Sequence, residues 1–217
     1  MKKLFQAFTL IFSGKVDIFK TTWFVLKCRR YNNKIGLFKV AIGRKVLITC
    51  GRNFKIEGSG QLFIGHDMGK FPRGSRSSFR IGNNSRLVLN GKYSLLSGHQ
   101  INIDDNATLE LGSGYINHDA KVFCKTRIKI GNNVIIGEDL CLMDSDSHSL
   151  NNGGISSEVV IEDNVWIGLR CTVLKGVTIN TGSVIAANSL VVRDVPARTL
   201  VGGNPARVIK SDVIWSH

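Results

Sequence analysis

Stepping by six from Ile161 lands on Ile167, Val173, Ile179, Ile185 and Val191, a branched aliphatic at every step. Four residues beyond each come Val165, Cys171, Val177, Ser183, Ser189 and Val195, all small or medium in volume. A helix repeats about every 3.6 residues and a strand about every 2, so neither places two inward positions in each hexad. A coil with three short flat faces does. Each face takes one hexad, the aliphatic fills the interior, and the smaller residue relieves crowding near the corner. Stacked coils then bury one continuous column. The frame recurs at Ile130, Ile136 and Leu142 with Val134 and Leu140, at Ile81 with Leu87, and at Ile103 with Leu109. The expected fold is all-β, a parallel β-helix over residues 45–203 followed by a tail at 204–217. Corners of the type Gly82-Asn83-Asn84 and Gly131-Asn132-Asn133 suit positive φ and are structural.

Residues 1–44 read differently. Phe5, Phe8, Phe12, Val16, Phe19, Trp23 and Leu26 are three or four apart and form one apolar stripe surrounded by lysines. That spacing predicts one or two helices, with Gly14 marking a break. Two placements suit such a stripe: packing on the flank of the β-helix, or lying on a membrane surface.

The hexad frame fails from Met143 to Glu158, where the chain reads MDSDSHSLNNGGISSE. An excursion from a regular coil is a natural place for function. This DxDxH segment, the VWIG of residues 165–168 and the GNPARVI of 203–209, in that order and spacing, resemble the hexapeptide-repeat O-acetyltransferases of bacterial polysaccharide and sugar pathways. The resemblance covers about residues 115–210. It implies a left-handed parallel β-helix, a homotrimer with sites between subunits, and acetyl-CoA lying along the C-terminal coils.

A thioester is already activated, so the enzyme must deprotonate the acceptor hydroxyl and stabilise an oxyanion. Imidazole suits the first task, and His148 is the expected base. Asp144 or Asp146 could orient its ring. Correspondence with the family gives cofactor contacts to Leu169, Ala186, Ala187, Arg193, Arg207 and Lys210, the cationic groups pairing with phosphates. Asn117 and Asp119 fall where relatives hold the acceptor, although NHDAKVFCKTRI departs from their pattern. Trp166 is expected either to wall the acceptor site or to pack at a corner. No metal is implied.

Charge adds a partner. Residues 1–80 hold 17 of the 29 Lys and Arg but only three of the 16 Asp and Glu. A one-sided basic field admits nucleic acid, acidic glycan or an anionic membrane. No nucleic-acid-binding signature accompanies it, so no nucleic-acid partner is expected. The five cysteines show no CxxC pair and read as reduced and mostly buried, in a cytoplasmic protein, peripheral at the inner membrane face if the N-terminal stripe binds there. MKKLFQAFTLIFSG has the charged start of a leader but no small-x-small cleavage site, and it is too short to span a bilayer. A γ-class carbonic anhydrase shares the fold but needs converging histidines, and no two of the five here are four or five residues apart. The remaining rivals are an N-acetyltransferase acting on an amino sugar or sugar nucleotide and a non-catalytic β-helix scaffold.

Overall fold

The computed structural model describes residues 16–31, 39–65, 75–149 and 153–216. Phe5, Phe8, Phe12 and Gly14, together with His66 and His217, lie outside the described residues.

Three parallel sheets wrap one core. The first sheet runs from Val40–Ile42 through Gln61–Ile64, Lys92–Leu95, Gly114–Ile116, Val134–Ile136, Trp166–Ile167 and Val184–Ile185 to Leu200–Gly203, where Ala206–Lys210 turns back antiparallel. The second runs from Val46–Cys50 to Leu190–Val191, and the third from Lys55–Glu57 to Thr178–Ile179. The chain visits them in rotation, so each strand pairs with the strand one coil earlier and one coil later. Among the described residues strand pairing thus begins at Val40, ahead of the expected start at 45, and continues through 210, into the expected tail.

The hexad frame is the packing frame. Ile161, Ile167, Val173, Ile179, Ile185 and Val191 are at most 1% exposed, and Val165, Cys171, Val177, Ser183, Ser189 and Val195 are buried beside them. The buried serines satisfy themselves locally: Ser183 Oγ donates to Asn180 O at 2.5 Å and Ser189 Oγ to Ala186 O at 2.5 Å. A buried hydroxyl with no acceptor would cost more than its small volume gains.

Coil length varies along the prism. Trp166 pairs with Val184, a coil of 18 residues, whereas Tyr93 pairs with Gly114 and Val40 with Leu62, coils of 21 and 22. Longer strands, such as Ser77–Ile81, absorb the difference. Ile135 pairs with Trp166 across 31 residues, because residues 144–158 leave the prism at the corner between the second and third sheets.

Corners follow two rules. Asn84 and Asn133 adopt φ of 53° and 54°, the left-handed turn expected of them. Gly82 is needed for a different reason: a Cβ there would lie 2.6 Å from Asp104 C in the next coil. Close stacking, and not backbone twist, requires that glycine.

At the N-terminal end, α1 (Ile18–Arg30) closes the prism. Phe24, Val25 and Cys28 join the core with Val40, Ile42, Val46 and Phe54. Asp17 caps the helix by accepting from Lys20 N at 3.0 Å, and Thr21 Oγ1 accepts from Ile42 N at 3.1 Å. The helix therefore packs on the prism, but with another face than the one read from the sequence: Phe19, Trp23 and Leu26 point to solvent.

Candidate active site

The two described limbs of the excursion, 144–149 and 153–158, pair as a pinned hairpin. Asp146 N donates to Ile155 O at 3.0 Å and Ser157 N to Asp144 O at 2.9 Å, while Ser145 and Ser156 form an antiparallel bridge. Lys175, on the same corner one coil later, fastens its base. Its ammonium donates to Gly154 O at 2.6 Å and lies 2.6 Å from Asp146 Oδ2. His148 stands exposed on this hairpin, just before Ser149, whose Oγ donates to Gly153 O at 3.2 Å.

Asp144 does something other than orient an imidazole. It is fully buried, and its carboxylate accepts from the backbone N–H groups of Lys125, Thr126 and Arg127 at 2.7 Å each, and from Thr126 Oγ1 at 2.9 Å. Four donors around one carboxylate hold the preceding coil's corner. Asp146 is the aspartate that remains on the hairpin with His148, and Lys175 engages it. Both carboxylates are committed within the chain.

The other expected site residues fall on three parts of the prism. Leu169, Ala186 and Ala187 share the corner between the first and second sheets, where Asn188 N donates to Leu169 O at 2.9 Å. Arg207 and Lys210 lie on the final antiparallel strand, which closes on this corner: a Cβ on Gly202 would meet Ile209 Cδ1 at 2.7 Å and Ala186 Cβ at 3.0 Å. Arg193 occupies the opposite edge of the second sheet, on the corner that carries the His148 hairpin and Lys175.

Asn117 and Asp119 lie on the first-to-second-sheet corner, lower in the stack. Asn117 Oδ1 accepts from His118 N at 3.0 Å. Asp119 packs so tightly on Gly98 that a Cβ there would overlap its carboxylate. Trp166 sits on the outer surface of the first sheet, 45% exposed. One chain therefore keeps His148 and the acceptor candidates on different edges.

Sequence reasoning missed three features. Lys175 could have been found by counting, because Leu142 pairs with Val173 and thus sets Asp144 beside the Leu174-Lys175 corner. Trp215 gave no periodic signal. Its indole lies 6.2 Å from that of Trp166 and donates to Asn164 O at 2.7 Å, so the tail covers one side of the exposed ring. Third, His118 is a second partly exposed imidazole, with Nδ1 2.9 Å from Ser97 Oγ. Beside it His99 is buried, and its pKa is pushed down to about 4 by burial first and by His118 second.

Burial raises the thiols also, Cys28 to about 12 and Cys50 to about 11, so both stay protonated at neutral pH. All five cysteines are free.

Residues 158–193 match the family described as bacterial transferase hexapeptide, six repeats. A Saccharomyces cerevisiae protein named as an acetyltransferase is 34% identical over 118 residues, 52% of this chain and 57% of that one. The 2,3,4,5-tetrahydropyridine-2,6-dicarboxylate N-acetyltransferase of Clostridium perfringens is 56% identical over 52 residues, 24% of this chain and 22% of that one. The chain thus spans little more than half the length of the curated relatives it matches, or less. Among solved structures, the polysialic acid O-acetyltransferase OatWY superposes with a TM-score of 0.60 at 20% identity, covering 82% of this chain and 87% of that one. At that identity the likeness is one of fold. Residues 158–193 carry the hexapeptide repeat of bacterial transferases, and the three-sided prism is a left-handed parallel β-helix, the fold it shares with the solved O-acetyltransferase.

Proposed function

We propose that the protein transfers an acetyl group from acetyl-CoA to a sugar hydroxyl in surface-polysaccharide synthesis, with His148 as general base. The observation that carries this reading is the hairpin itself. The hexad frame is interrupted just before the family-matching residues 158–193 by a pinned excursion, and an exposed imidazole stands on it. His148 takes the acceptor proton as the oxygen attacks the thioester carbonyl, and the thiolate of CoA leaves. A backbone N–H of the neighbouring corner stabilises the oxyanion.

The C-terminal coils suit CoA. Ala186 and Ala187 leave room for the pantetheine arm against the corner, Leu169 offers an exposed apolar contact, and Arg207 and Lys210 are exposed cations for the phosphates. Arg193 supplies a further cation on the hairpin's corner.

Convergence needs a second chain, because His148 and the Asn117, Asp119 and Trp166 group lie on different edges of one prism. The outer column of the first sheet supports a homotrimer: Phe63, Ser94, Tyr115, Ile135, Trp166, Val184 and Leu200 follow one another in register, and all but Ser94 are apolar or aromatic. The outer face of the third sheet is charged instead, with Arg86 on Glu57 and Arg127 bridging Glu110 and Glu158. The apolar face is the one suited to burial between subunits. The enzyme works in the cytoplasm, at the inner face of the membrane where its acceptor is built.

The 56% identical relative named as an N-acetyltransferase favours a second reading, in which the acceptor is an amine. Mass spectrometry of the surface glycan from cells with and without the protein separates the two. Loss of one acetyl group per repeat from an oxygen, removable by mild base, supports the ester. A base-stable acetyl supports the amide, and an unchanged glycan removes both.

A further inference from the structure

We propose that the outward face of α1 docks the N-terminal end of the prism on an anionic lipid surface. The helix spends one apolar face on the core through Phe24, Val25 and Cys28 and still presents a second. Phe19 is 89% exposed, Leu26 59%, and Ile18 and Trp23 47% each. Large apolar side chains grouped this way on one helix face are costly in water and mark an interaction surface.

The surroundings select the occupant. The helix contains no acidic residue, and Arg29 and Arg30 end it, exposed. Arg44, Lys45 and Arg52, also exposed, add cations on the two coil-one corners that the helix adjoins. A second copy placed face to face would bring two such clusters of like charge together, whereas anionic headgroups complement them. Two lysines brace the surface: Lys20 Nζ donates to Arg44 O, and Lys27 Nζ donates to Cys50 O at 3.1 Å while standing 5.1 Å over the Trp23 ring. Trp23 is therefore held in place before contact, at the boundary position that tryptophan favours in bilayers. None of the helices among the described residues is long and apolar enough to cross a membrane, so the contact is interfacial.

The geometry ties this surface to the fold. The strand that leads into the His148 hairpin lies four strand spacings from the helix-bearing end of its sheet, about 19 Å. A prism standing on α1 holds that hairpin about one saccharide repeat or more above the headgroups, within reach of a glycan still attached to lipid.

The full-length protein is mixed at low salt with vesicles of phosphatidylserine and phosphatidylcholine, and with phosphatidylcholine alone, then sedimented. Binding is expected to the anionic vesicles, and to fall about tenfold or more in Phe19→Ser/Leu26→Ser and in Arg29→Glu/Arg30→Glu. Brominated lipid is expected to quench tryptophan emission in the wild type but not in Trp23→Phe, since Trp166 lies five strand spacings away, about 24 Å. An absence of binding to anionic vesicles overturns the proposal. So does undiminished binding in both double variants of unchanged circular dichroism, or a smaller assembly by light scattering in Phe19→Ser/Leu26→Ser, which makes the face a subunit contact. Acetyl transfer to a soluble acceptor is unaffected by these variants, so the lipid result stands apart from the assignment of the reaction.

Discussion

The ammonium of Lys175 lies 2.6 Å from the Oδ2 of Asp146, and the two residues sit on either side of the junction where the His148 hairpin leaves the prism. The same ammonium holds Gly154 O and Ile155 O on the returning strand. One side chain thus ties the outgoing limb, the incoming limb and the coil beyond.

Lys175→Met keeps the aliphatic stem and removes all three contacts. The ion pair is partly exposed, so its loss is expected to change thermal stability little. Its effect falls on the position of His148. Turnover is expected to drop about 10- to 100-fold, with the KM for acetyl-CoA nearly unchanged, because a misplaced base costs rate more than donor binding. Lys175→Arg is expected to restore part of the rate.

Asp144 and His148 separate in the opposite way. Asp144→Ala leaves three backbone N–H groups and one hydroxyl without their buried acceptor, a loss of about 2–4 kcal/mol. Thermal denaturation is expected to shift down by several degrees, whereas an aspartate that merely oriented the base would leave the melting temperature alone.

His99 makes stability depend on pH. Its folded pKa of about 4 is below the ordinary value of 6.5, so between those values the unfolded chain binds a proton that the folded chain does not. Stability from this group is complete above about 6.5 and is lost as pH falls toward about 4, by roughly 3 kcal/mol at most. His99 Nδ1 accepts from Ala120 N at 3.1 Å, so His99→Gln can keep an acceptor there while removing the proton site. Urea titrations at pH 7 and pH 4.5 are expected to show a smaller difference in the variant than in the wild type.

How much of the fold is legible in the sequence depends on coil length. From Ile130 to Val191, outside the hairpin, the coils are short and the step of six holds, so the hexad pattern alone places Ile161 to Val191 inside. Earlier coils take 19 to 22 residues where they carry no insertion, and most of their strands are four or five residues long, alternating as in Ser77–Ile81 and Gln100–Ile103. There the frame slips, and only Ile81, Leu87, Ile103 and Leu109 stand out. The N-terminal stripe is legible as apolar but not as to which side it faces. Phe19, Trp23 and Leu26 fit helical spacing, yet so do Phe24, Val25 and Cys28, and only the prism end decides between them. In the site, the loop histidine follows from the break in period. Lys175 belongs to a corner one coil away and Trp215 to a tail without period, so both act through contacts between coils that a count along the chain does not reveal.

The central claim is most directly tested by the rate of CoA release from acetyl-CoA by His148→Ala, measured with acceptor present while light scattering follows the assembly. The expected result is a fall in turnover of about 10² to 10⁴ with the assembly intact. A rate near that of the wild type, or the same fall in His118→Ala with His148→Ala unaffected, would contradict it.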